Sequence, residues 1–381
     1  MARTLGLHHE EMTLGQKFRQ IIGSLVLLLT VTAMVGFAML YSAANGDFDP
    51  WAWRQAVRFG AGLVLLVVIA LIDVRLLLRR SYIVYAAALA MLVLVEVMGV
   101  TGMGAQRWVD LWLFRLQPSE IMKIALVLAM ARYFHGLTIE DTRRLRSLVV
   151  PILLMAAPAA LVLRQPDLGT AVLLILTSSA LMFAAGVRLR VFIAAGVAAV
   201  ASVPVGWQFL REYQKQRIYT FLDPESDPLG AGYHILQSKI ALGSGGMFGK
   251  GFLNGSQSHL SFLPERHTDF IFTMLAEEFG LAGGLMLLGL YVLILIYGIA
   301  ISLWAKSHFG RLVAIGVTTT FFVHVFINIA MVTGLIPVVG VPLPLVSYGG
   351  TAMMTIMVGA GLLASVYVHR DVEISRGEGL V

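Results

Sequence analysis

The sequence predicts an all-α polytopic membrane protein, and three observations predict it. Of its 381 residues, 58% are hydrophobic and only 13% charged, with a mean hydropathy of +0.82, which is more apolar surface than one soluble core of this length buries. The apolar residues gather into runs close to the roughly 20 needed to cross a hydrocarbon core as a helix. No alternating barrel pattern is present, so backbone hydrogen bonding within lipid requires helices.

About ten spans follow in order: 21–41, 57–72, 82–100, 118–134, 148–163, 168–186, 191–209, 281–303, 312–333 and 351–369. The first has only Arg3, Lys17 and Arg19 as basic residues before it and no small-residue cleavage site after it, so it reads as a retained span behind an N-terminal segment 1–20. With that segment inside, the inner connections hold Arg75, Arg79, Arg80, Arg143, Arg144, Arg146, Arg188, Arg190, Lys306, Arg311, Arg370 and Arg376. The short outer loops hold only Arg54, Arg58, Arg107, Arg115 and Arg164. This asymmetry satisfies the positive-inside rule. Both termini, including the tail 370–381, are then cytoplasmic, and the one long loop, 210–268, is extracytoplasmic within a single membrane unit. The net charge of +6 expresses topology and contact with anionic membrane lipids, not nucleic acid, because the basic residues are not interleaved with aromatics. Zero cysteine removes disulfides, thiolate metal sites and thiol catalysis together.

Ionisable residues beside or inside the spans mark where chemistry is to be sought. Glu120 and Lys123 follow Pro118, a good first-turn residue, and share one helical face. They read either as a self-neutralising ion pair or as charges facing a polar cavity, the default for charge within a span. Asp167 opens the sixth span and reads as its N-cap, which still sets a carboxylate at the membrane level of Asp269. Asp269 or Thr268 could likewise cap the next helix. Yet Glu265, Arg266, His267 and Asp269 fall within five residues at the end of the only long outer loop. The apolar segment that follows, 269–304, is too long for one crossing and is interrupted by Glu277, Glu278 and Gly280, so its first turns are expected to form a partial helix lining a cavity.

The long loop opens on Arg211–Arg217, passes the turn signatures Asp223-Pro224 and Asp227-Pro228, and offers an amphipathic segment Tyr233–Ala241 carrying Lys239. Its Gly243–Gly251 run fails as a phosphate loop, which needs Gly at 244 and Ser or Thr at 251 where this chain has Ser244 and Gly251. A mobile flap bearing backbone amides and Lys250 is the better reading. His9-Glu10-Glu11-Met12-Thr13 lacks the second His of a zinc-protease helix, and no Ser occupies a Gly-x-Ser-x-Gly elbow. From Gly334 to Gly350 the chain is uncharged and apolar, but Pro337, Pro342 and Pro344 forbid a regular helix. Such backbone at membrane depth must be buried in protein or line a water-filled cavity. It lies on the Asp269 side and carries Ser347. His324 and Asn328 share a helical face, pointing at the same cavity or bonding between helices.

These residues resemble the SEDS family (shape, elongation, division and sporulation). The strings are Arg217 with Phe221-Leu222, Asp227–Tyr233, Gln237-Ser238-Lys239-Ile240-Ala241, Gly243–Gly246, Gly249-Lys250-Gly251 and Leu263–Phe270, joined by Arg107-Trp108, Gln117–Glu120, Gln165–Thr170, Pro342-Leu343-Pro344 and Ser347–Gly350. Together they cover nearly the whole chain. Arg266 before His267-Thr268-Asp269, with Gln237-Ser238-Lys239, is similar to elongation-type members more than to division-type members.

The resemblance implies a peptidoglycan glycosyltransferase of the bacterial cytoplasmic (inner) membrane. It would polymerise lipid II, the undecaprenyl-diphosphate-linked disaccharide-pentapeptide, into glycan strands at the outer face during cell elongation and shape maintenance. A class B penicillin-binding protein, a transpeptidase, is the implied partner. The family's essential Asp corresponds to Asp269, which would act as general base on the acceptor hydroxyl. Candidates to balance the leaving diphosphate are Lys123, Arg217, Lys239 and Lys250, with Glu120, Asp167, His267 and Ser347 completing the expected cavity. Asp269 could instead hold a divalent cation, Mg2+ or Mn2+, bridging the diphosphate. A lipid II flippase is the rival reading, because intramembrane charges often mark transporters. The carboxylates collect toward the outer face and not the midplane, where transporter sites usually lie, and this favours the enzyme.

Overall fold

The computed structural model describes residues 13–102, 105–110, 115–209, 212–224, 231–256 and 266–376. Each of the ten apolar runs coincides with a helix. In order the helices are α1 (Leu14–Gln20), α2 (Gly23–Ala43), α3 (Ala52–Ala70), α4 (Val74–Met98), α5 (Pro118–His135), α6 (Ile139–Thr142), α7 (Val149–Arg164), α8 (Leu168–Ala184), α9 (Leu189–Phe209), α10 (Glu212–Leu222), α11 (Ala231–Ser244), α12 (Ile271–Trp304), α13 (His308–Val332) and α14 (Gly350–Val368). Among the described residues, eight helices are long and apolar enough to cross a membrane. Of the other two predicted spans, α5 carries Glu120, Lys123 and Arg132 within its 18 residues, and α8 has 17 residues.

Local sequence explains the helix starts. Thr13 and Gln16 form a capping box at α1, Asp73 accepts from Arg75 N–H at α4, Ser307 caps α13, and Pro118 fills the first turn of α5, where no amide partner is needed.

A small antiparallel meander, β1 (Val100–Gly102), β2 (Ala105–Asp110) and β3 (Arg115–Leu116), joins α4 to α5. Strands of two to six residues are too short to register as a period in the sequence. Arg107 of β2 donates to the carbonyls of Gln165 and Pro166, tying the meander to the α7–α8 turn.

The bundle is centred on α5, α13 and α14, which are apolar and buried around most of their circumference. Packed on that centre, α3 runs along α14, α4 along α5, α12 along α13, and α7 along α8. Helix α9 differs: none of its apolar window is buried inside the protein.

The interruption expected near Glu277–Gly280 falls at Gly280, whose φ of 67° and ψ of −163° break α12. A broken helix frees amides and carbonyls that must find other partners. Here the glycine run supplies them. Lys250 and Gly251 N–H donate to Glu277 and Glu278 O, each at 3.0 Å, while Leu281 and Ala282 N–H donate to Gly246 and Met247 O at 2.9 and 3.0 Å. A Cβ on Gly280 would stand 2.4 Å from Gly249 N, so the approach requires glycine. The run expected to be a mobile flap is therefore a backbone clamp. Lys250 Nζ is committed too, at 2.8 Å from the fully buried Glu277 Oε1 and 2.8 Å from Ser256 Oγ, and Ser42 donates to Glu278.

Candidate active site

Asp269 lies in the turn 266–270 that leads into α12, and three successive carbonyls of that turn are held from two other segments. Tyr348 N–H donates to His267 O at 2.8 Å. Ser347 Oγ donates to Thr268 O at 2.6 Å. Asn328 Nδ2 donates to Asp269 O at 2.9 Å and to Val341 O at 2.8 Å. Ser347 Oγ also accepts from Leu343 N–H at 2.8 Å, and the buried Gln55 amide donates to Ser347 O at 3.0 Å. The proline-rich segment, largely buried from Val341 to Ser347, is thus a wall against which the Asp269 turn is fastened. Gly340, at φ +72°, faces the carboxylate: a Cβ there would lie 3.5 Å from Asp269 Oδ2.

The His267 side chain is held by rings. His267 stacks on Trp51 with centroids 4.3 Å apart and planes 9° from parallel, and Tyr348 lies 6.0 Å away on another side. Arg58 sits 4.8 Å over the Tyr348 ring. Arg266 is partly buried, and desolvation pulls its guanidinium below the ordinary arginine value. Asp269 itself remains partly exposed on this fixed backbone, the arrangement a general base needs to meet an incoming hydroxyl at defined geometry.

Glu120 and Lys123 form the ion pair that their spacing allows, Nζ to Oε1 at 2.8 Å, and both are nearly inaccessible at 5% and 3% exposure. Lys123 Nζ also lies 2.8 Å from His324 Nε2. His324 lines a small cavity with Gln55, Pro342, Pro344 and Ser347. His324 and Asn328, four residues apart on α13, therefore reach from the buried ion pair to the Asp269 turn.

Asp167 is the cap that its position suggested. Its Oδ1 accepts from Thr170 N–H at 3.1 Å and its Oδ2 from Thr170 Oγ1 at 2.9 Å and Gln117 Nε2 at 3.3 Å. It remains close to the site, because a Cβ on neighbouring Gly169 would lie 2.9 Å from Val339 O of the same wall. Lys239 is exposed, its stem crossing the Gly334 turn. The preceding Ser238 donates to Val332 O at 2.8 Å. The side chain of Arg217, with Glu265 and the segment 225–230, lies outside the described residues. Trp51, Gln55 and Arg58 went unassigned as site residues from sequence. Only an aromatic at the edge of a span and two polar residues in its first turns signalled them.

An apolar cavity of about 30 Å³ lies between α2, α5, α12, α13 and α14, lined in part by Leu25, Leu29, Ile124, Ile294 and Phe321.

Residues 20–372 match the FtsW/RodA/SpoVE family model, described as "Cell cycle protein". The chain is 46% identical over 346 residues to Escherichia coli (strain K12) "Peptidoglycan glycosyltransferase MrdB", covering 91% of this chain and 93% of that one. It is 35% identical to Bacillus subtilis (strain 168) "Stage V sporulation protein E", covering 90% and 95%. Among solved structures, a chain of a peptidoglycan synthase complex that coordinates polymerization and crosslinking superposes with a TM-score of 0.81 at 33% identity, covering 92% of this chain and 98% of that one. Thermus thermophilus rod shape determining protein RodA superposes with a TM-score of 0.70 at 30% identity, covering 92% and 97%. With the apolar helices and the pinned Asp269 turn, these matches identify the chain as an integral membrane protein belonging to the SEDS (FtsW/RodA/SpoVE) family.

Proposed function

We propose that this protein is a peptidoglycan glycosyltransferase that polymerises lipid II at the outer face of the bacterial cytoplasmic membrane, with Asp269 as general base. The observation that carries the reading is the turn 266–270, whose carbonyls are bonded by Tyr348, Ser347 and Asn328 so that the carboxylate is presented from fixed backbone. It stands in a chain 46% identical to a relative named for that activity. Asp269 takes the proton of the acceptor hydroxyl as its oxygen attacks the anomeric carbon of the donor with inversion. The bond to the lipid diphosphate breaks, and the diphosphate departs with its electron pair.

Positive charge must meet that leaving group. Lys250 is engaged by Glu277 and Lys123 by Glu120 and His324. Lys239, exposed beside the outer end of α13, is the candidate with its ammonium open to solvent. A divalent cation on Asp269 would draw its other ligands from diphosphate oxygens and water, as Mg2+ commonly does. A class B penicillin-binding protein is the expected partner, in line with the synthase complex to which the fold is similar.

The test is lipid II polymerisation by purified protein with its partner in proteoliposomes. Asp269→Asn keeps shape and removes the base, and should abolish polymer while expression and thermal midpoint hold. Polymer at the wild-type rate from that variant removes Asp269 from the mechanism. Translocation of fluorescent lipid II without polymer would establish the flippase instead. Activity that survives exhaustive chelation removes the cation.

A further inference from the structure

We infer that His324 is a positioning residue for Lys123: a neutral imidazole, protonated on Nδ1, whose Nε2 holds the Lys123 ammonium away from full engagement with Glu120. This rests on the glycosyltransferase reading for its kinetic consequence, but not for its structural content.

The protonation state follows from the partners. His324 Nδ1 lies 2.7 Å from Thr320 O. A carbonyl only accepts, so Nδ1 carries the hydrogen. Nε2 then offers a lone pair to Lys123 Nζ at 2.8 Å. An imidazolium there would set two cations in contact with one carboxylate to balance them, in a site where His324 and Lys123 are each 3% exposed. The other elements packed against α13 are α5, α8, α11, α12 and α14. On these, among the described residues, the charged group in contact with the His324–Lys123 pair is Glu120.

The carboxylate reports the consequence. Glu120 Oε1 accepts from Lys123 Nζ, whereas Oε2 is buried without a hydrogen-bond partner. A buried carboxylate oxygen beside an ammonium with three donors would ordinarily be satisfied by it. It is not: one N–H goes to Oε1 and a second to His324 Nε2, and these two bonds together set the orientation of the ammonium. The ammonium is thus shared between α5 and α13, with one N–H left over, and the same α13 face holds Asp269 O through Asn328 one turn on. Removing the imidazole acceptor would let Lys123 fold onto both oxygens of Glu120 and break this link to the wall of the site.

Two measurements test the proposal, one of them independent of activity. In protein labelled with 15N-histidine, the His324 resonances should report the neutral Nδ1-protonated tautomer at neutral pH and should shift on Lys123→Met. An Nε2-protonated ring, an imidazolium, or signals indifferent to Lys123→Met would overturn the assignment even if the protein polymerised nothing. In the polymerisation assay, His324→Gln places an amide oxygen near the Nε2 position and should stay within roughly threefold of wild type. His324→Leu, with no acceptor, should lose roughly tenfold to a hundredfold in kcat, the range expected for a misplaced site group. Wild-type turnover by His324→Leu, or equal loss in Gln and Leu variants that remain folded, would refute the positioning role. Should His324→Leu fail to fold, the Gln variant and the tautomer measurement still decide.

Discussion

Asn328→Leu tests the central structural claim, that the Asp269 turn is held by its neighbours. The Asn328 amide is fully buried and donates to two carbonyls, Asp269 O at 2.9 Å and Val341 O at 2.8 Å. Leucine keeps its branching, at somewhat greater volume, and donates nothing. Each buried carbonyl left unsatisfied costs about 1–3 kcal/mol. Val341 O is enclosed, whereas Asp269 lies at a partly exposed turn where water can compensate, so the sum is about 2–4 kcal/mol. The thermal midpoint in detergent should fall accordingly. Initial polymerisation rate, measured well below that midpoint, should fall by a further factor of roughly ten, because the carboxylate loses the backbone anchor that aims it. Asn328→Asp sharpens the comparison. It keeps the shape but turns a carboxylate oxygen toward both carbonyls, and it should be the worse variant in both assays. Wild-type rate in Asn328→Leu with only the stability loss would refute the argument that pinning the turn orients Asp269.

The other predictions concern the clamp and the wall. Gly280→Ala forces a Cβ to within 2.4 Å of Gly249 N at a φ of +67°, so it should open the 245–251 clamp, read as new protease cleavage or hydrogen exchange confined to that run. Lys250→Met leaves the buried Glu277 carboxylate with fewer donors and should lower stability by about 1.5–3 kcal/mol. Adding Glu277→Gln should recover part of that loss, and an additive double mutant would show that the pair is not coupled. Ser347→Ala removes the acceptor of Leu343 N–H and a donor to Thr268 O and should slow polymerisation at least as much as it destabilises, whereas Ser347→Thr should restore both.

The parts of this molecule legible in its sequence are those governed by rules local to the chain. Length and apolarity located all ten helical runs, because a helix in lipid satisfies its own backbone. Glu277, Glu278 and Gly280 announced the break in α12, three prolines announced the wall, and the position of Asp167 announced a cap. Gly243–Gly251 misled because glycine composition serves a floppy linker and a close backbone approach equally well. Only the position of the α12 break, whose open amides and carbonyls need partners, distinguishes them. Trp51, Gln55 and Arg58 were illegible for another reason: they meet His267, Ser347 and Tyr348 only because α3 packs along α14, nearly the whole chain away.

Catalytic groups on loops gain mobility at the expense of aim, and this fold resolves the conflict by fastening a loop to a largely buried helix. His324 and Asn328 are separated by one turn of α13, about 6 Å of rise. They engage in succession the Lys123–Glu120 pair and the Asp269 turn. Four residues further along, Val332 O receives Ser238 of α11, the helix that carries Lys239. One rigid element thus sets the relative positions of the proposed base, the buried ion pair and the exposed cation. The chemistry they share needs the acceptor oxygen and the donor's anomeric carbon held to within about half an ångström. A helix buried around most of its circumference can hold that register, whereas α9, with none of its apolar window buried, has little packing with which to do so.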